Sequence, residues 1–128
     1  MEEYTYTWDE RGALFRITVP RGFEYDGASV PRLLWGVTGL RPDGLIRAAA
    51  LIHDFIYAFL GDIPPRGFEI RVDDLFWADC NLKINRAWAD RLFNRIMQES
   101  GVGRTRRWLA YRGVRAGGWL AWKKDTLL

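Results

Sequence analysis

The chain has one cysteine and one histidine in 128 residues. A lone Cys80 excludes an internal disulfide framework and a cysteine-rich zinc site. A reducing, cytosolic history is the default for such a composition. With a single imidazole, any catalytic triad, histidine metal site or pH-sensing cluster has to use His53. The longest apolar stretch, residues 48–60, is broken by His53 and Asp54 and is too short to span a bilayer. The opening Met1-Glu2-Glu3 lacks a basic or apolar lead segment, which predicts no signal peptide. There is no P-loop, no dinucleotide-binding glycine pattern, no H-E-x-x-H and no serine elbow G-x-S-x-G.

What is present is a folded domain. Hydrophobic residues make up 48% and aromatic ones 15%, with seven Trp, while charged residues stop at 27%. That balance fits one domain over residues 1–128 and excludes a disordered tail. Charge is uneven. From Gly101 onward the chain carries net +6, against +3 for the whole, so residues 1–100 sum to −3.

Residues 4–8 alternate as Tyr-Thr-Tyr-Thr-Trp, and residues 13–19 place Phe15, Ile17 and Val19 on one face. With a turn at Asp9-Glu10-Arg11-Gly12 between them, these predict a β-hairpin. Residues 23–25 can add a short third strand. The segment Asp26-Gly27-Ala28-Ser29-Val30-Pro31-Arg32 reads as a loop, and a helical turn is expected at residues 33–37. Residues 45–60 read as a buried helix, apolar almost all round. Residues 70–82 and 86–99 read as two amphipathic helices, and residues 104–121 as a last one, weakened by Gly113 and Gly117-Gly118. The expected class is α+β, an N-terminal antiparallel β-hairpin or small sheet packed on three to four α-helices. Its β-rich part covers residues 1–44 and its helical part residues 45–128.

His53-Asp54 is the pair with most chemistry in it. Both lie on the apolar helix, about 100° apart, so each needs its own partner. Tyr57, at i+4, shares the His53 face. Carboxylate partners for His53 are sought at Asp73, Asp74 and Asp90, the first and last of which open two D-x-L-F echoes. Two readings compete: a structural network, or a general base oriented by a carboxylate, with Asp54 holding a cation or a water. Asp26-Gly27 offers a plain Asx-turn or, with Asp54, oxygen ligands for a divalent cation such as calcium. The last helix interleaves Arg104, Arg106, Arg107, Arg112 and Arg115 with Trp108, Tyr111, Trp119 and Trp122. It is either a solvated basic face or a surface for an anionic partner, nucleic acid or lipid head group.

These residues resemble the DUF1353 family, found largely in phages and prophages. The likeness runs through V-P-x-G-F-x-Y-D-G-A-S-V-P-R at residues 19–32 and A-A-L-I-H-D-F-I-Y at residues 49–57. It continues through a D-x-L-F helix and the tail at residues 101–118. This resemblance implies a phage-borne protein, a virion- or tail-associated accessory component with other phage structural proteins as partners, in the virion or the host cytoplasm. It raises Asp26, His53, Asp54 and Tyr57 as a site. A local similarity, H-D-x-x-Y, runs to the phospholipase A2 group. It implies His53 as the base, Asp54 as a calcium ligand, Tyr57 as support and Asp73 or Asp90 as the orienting carboxylate. The glycine-rich calcium loop and paired cysteines of that group are missing here. Three functions follow in order: a structural phage component, a small hydrolase, and a basic nucleic-acid or membrane-surface binder.

Overall fold

The computed structural model describes residues 3–23 and 47–126. Four strands form one antiparallel sheet in the order β1-β2-β3-β4. They are β1 (Tyr4–Glu10), β2 (Ala13–Val19), β3 (Phe68–Val72) and β4 (Phe76–Asp79). Helix α1 (Arg47–Ala58) lies in sequence between β2 and β3, and α2 (Arg86–Glu99) and α3 (Arg104–Thr126) follow the sheet. The class is α+β, with a larger sheet than the N-terminal sequence alone announces.

Local chemistry explains the elements. The first hairpin closes on Arg11 and Gly12, both at positive φ, the pattern of a two-residue type I′ turn. Its inward residues are Trp8, Phe15, Ile17 and Val19, and Phe68 joins them from β3. Trp8, Phe15 and Phe68 stack on the sheet, and Trp88 of α2 meets all three edge-on. Asn85 caps α2, its side-chain oxygen accepting from the Trp88 N–H at 2.8 Å. The helix ends in a Schellman motif: Gly101, at φ 90, donates to Gln98 and Val102 donates to Met97.

The helix expected at residues 70–82 is not formed; a hairpin stands there. Phe68, Ile70 and Val72 alternate with Glu69 and Arg71, a period of two that suits a sheet with one covered face. The reversal is a four-residue turn closed by Leu75 N–H to the Val72 carbonyl at 2.9 Å. Its central residues, Asp73 and Asp74, sit at φ 50 and 58. Aspartate tolerates the left-handed region better than most side chains, so the turn forms without the glycine that usually announces it. The D-x-L-F echo is therefore one hairpin tip and one helix. No described helix is long and apolar enough to cross a membrane. The third strand expected at residues 23–25, the helical turn at 33–37 and Asp26 fall wholly or mainly outside the described residues.

Asp74→Gly separates the hairpin from the helix by the sign of its effect. In a turn with φ 58 at that position glycine relieves strain, so the variant gains about 0.5–1 kcal/mol in urea unfolding. In a helix the same change would cost about 1 kcal/mol.

Candidate functional site

Three helices converge on one carboxylate. Asp90, on the inward face of α2, is fully buried. Its Oδ1 lies 2.6 Å from His53 Nε2 and accepts the Tyr57 hydroxyl at 2.6 Å. Its Oδ2 accepts Arg115 Nη1 from α3 at 2.9 Å, with Arg86 Nη1 at 3.5 Å. The i, i+4 spacing of His53 and Tyr57 on α1 puts both polar tips over the same oxygen. With Asp90 as the acceptor, a neutral His53 ring donates from Nε2.

The surroundings are aromatic. The imidazole lies 4.2 Å from the Tyr57 ring and 4.8 Å from the Phe93 ring, centroid to centroid. Its side chain has no solvent exposure. Burial pushes the His53 pKa below its ordinary value; the bond to Asp90 opposes this and Arg86 adds to it. The Tyr57 phenol is held well above its usual range, first by burial and then by Asp90. Around the Asp90 carboxylate stand a phenol held in its neutral form, an imidazole whose charged form burial disfavours, and two guanidinium groups.

Of the other sequence-nominated residues, Asp54 is buried on α1 at 8% exposure. Asp73 stands in the exposed β3–β4 turn, away from this cluster, and does not partner His53; Asp74 shares that turn. Asp26 lies outside the described residues. No group of three or more metal-binding side chains occurs among the described residues. Calcium takes roughly six to eight oxygens, and Asp54 alone cannot supply them. Of the basic residues, Arg104, Arg106 and Arg112 are exposed and Arg107 is partly buried. Arg115 is turned to Asp90 instead of an outside partner.

Arg86 carries little signal in the sequence. It donates to the Val114 and Arg115 carbonyls of α3, each at 3.1 Å, as well as facing Asp90. Its one legible signal is its place four residues before Asp90, on the same helical face.

The depressed His53 pKa has a consequence for stability. Above the ordinary histidine value of 6.5 the ring is neutral in both folded and unfolded chains. Below it the unfolded chain takes up a proton that the folded chain refuses, so stability falls as pH falls. Urea unfolding followed from pH 8 down to pH 5 shows a decline that begins near the ordinary histidine pKa. A stability that is flat or rises toward acid through this window contradicts the buried neutral ring.

No curated protein matches the chain, and no solved structure does either. The family model described as "Protein of unknown function (DUF1353)" matches residues 1–114, a span that includes the described partners of Asp90 except Arg115. The chain belongs to the DUF1353 family.

Proposed function

We propose that this DUF1353 protein is a small hydrolase in which His53 is the general base and Asp90 the residue that orients it. The observation that carries the reading is the bond from His53 Nε2 to Asp90, with Tyr57 on the same oxygen, at the H-D-x-x-Y spacing. A carboxylate on one ring nitrogen fixes the tautomer and makes the other nitrogen the base. In the step, Nδ1 takes a proton from water as the water oxygen bonds to an ester carbonyl carbon. The imidazolium then returns that proton to the leaving alkoxide as the ester C–O bond breaks. The resemblance to the phospholipase A2 group makes a phospholipid ester the substrate class. Calcium held by Asp54 and the Asp26 loop belongs to the same proposal, and no step is routed through it. The family resemblance favours a phage setting, with the protein carried in the virion or tail, or free in the host cytoplasm.

Fatty-acid release from phosphatidylglycerol vesicles, with calcium or with EDTA, tests the activity. Wild type releases product; His53→Gln, folded by circular dichroism, loses about 10²–10⁴-fold. Tyr57→Phe, which keeps the ring, loses much less.

A second reading is favoured by the complete enclosure of the imidazole. Here Asp90 is a clasp that locks three helices of a non-enzymatic virion or tail accessory protein, docked to other phage structural proteins. No turnover by wild type on any ester, together with normal particles carrying His53→Gln, would decide for the clasp.

The exposed strip of α3 supports an anionic partner, nucleic acid or lipid head group. Trp108 is 58% exposed, and Arg112 lies 5.6 Å over its ring. Arg104, one turn before Trp108, completes a cation–aromatic–cation row. Binding to single-stranded DNA or anionic vesicles should weaken steeply with added salt, and Arg104→Ala/Arg112→Ala should flatten that slope. Salt-independent binding would eliminate this partner.

A further inference from the structure

We propose that residues 118–126, the distal part of α3, are a strap closed over the His53 cluster, and that the strap opens at Gly117-Gly118. This proposal rests on the general-base reading, whose step needs a water at the imidazole. Three observations converge on it.

The first is a contact. Trp122 packs edge-on against Tyr57, with ring centroids 4.9 Å apart and planes at 88°. Tyr57 in turn lies 4.2 Å from the imidazole and shares its carboxylate. Trp122 of the distal segment thus packs on the tyrosine that packs on the base.

The second is a built-in stopping point. Arg86 donates to the carbonyls of Val114 and Arg115. In an unbroken α-helix those carbonyls accept from residues 118 and 119. Unwinding past Gly117 would normally orphan them. With the Arg86 guanidinium already in place they keep a partner, so the proximal helix can end there at little cost. A cation on the last carbonyls and a glycine just beyond them is how helices commonly terminate.

The third is composition. Gly117 and Gly118 each weaken a helix interior by about 1 kcal/mol relative to alanine. The family model stops at residue 114, ahead of this glycine pair. The matched fold therefore includes His53, Tyr57, Arg86 and Asp90, while the strap lies outside the match.

His53 is the only histidine in the chain, so its modification can be read without ambiguity. Diethyl pyrocarbonate is added to the full-length protein well below its unfolding transition, and carbethoxylation is followed by absorbance and intact mass. Trp122→Ala should speed modification of His53 about tenfold or more, the factor that ~1.4 kcal/mol of lost closure would give. Gly117→Ala/Gly118→Ala, which stiffens the hinge in an otherwise intact chain, should slow it. A Trp122→Ala rate equal to wild type overturns the strap. If that variant fails to fold, the double alanine variant decides: an equal or faster rate overturns the strap. The readout needs no substrate. Absent ester hydrolysis removes the general-base reading and leaves these rates, and the strap they measure, standing.

Discussion

A carboxylate placed where no water reaches it dictates the arrangement of the helices. Leaving Asp90 buried and unpaired would cost several kcal/mol, enough to unfold a domain of this size. Folding therefore has to bring donors to both of its oxygens. Helix α1 brings two, His53 and Tyr57, which fixes the rotation of α1 against α2. Helix α3 brings Arg115, and Arg86 spans from α2 to the α3 backbone. An apolar contact tolerates sliding, whereas these bonds hold three helices to one register. The same demand withdraws Arg115 from the basic strip it belongs to in sequence.

The sheet matters to the site through α2. Trp88 seats that helix on the aromatic face made by Trp8, Phe15 and Phe68. Farther along, the Tyr6 hydroxyl reaches the Glu99 carboxylate, and Arg95 donates to the Asp9 carbonyl at 2.7 Å. Asp90 lies between these anchors. The β-hairpin thus positions the carboxylate without lending the cluster a side chain.

Parts of this were legible in the sequence, and the losses have physical reasons. The β1–β2 hairpin was open to reading because alternation and Arg11-Gly12 agreed. His53 and Tyr57 could be paired from helical spacing alone. Asp90 could be named only as one of three acids, because residues 70–82 read as a helix that would have carried Asp73 and Asp74 into the core. The β3–β4 turn has no glycine, and two aspartates before an apolar pair look like the start of a helix, although both stand at positive φ. Arg115 could not be told from Arg104 or Arg112, since a run of like charges does not reveal which member faces inward. Arg86 was hidden for a different reason. Its partners are main-chain carbonyls of α3, and no residue type advertises them.

The charge state of the cluster does not distinguish a base from a clasp. Asp90 alone would raise the imidazole pKa and favour the imidazolium, while burial and Arg86 push the other way. Burial is the largest of these effects, and it favours the neutral ring. A general base at neutral pH needs this state, and a silent core histidine adopts it just as well. Removing Asp90 would disturb both roles together, because the residue that would orient a base is the one that joins the helices. What separates the readings is whether water can reach Nδ1 while the helices remain docked. The strap proposed above gives such access if its motion leaves every donor to Asp90 in place. Residues 118–126 of α3 satisfy that condition, for their described ring contact is aromatic and the partner of the carbonyls they would release stays behind on α2.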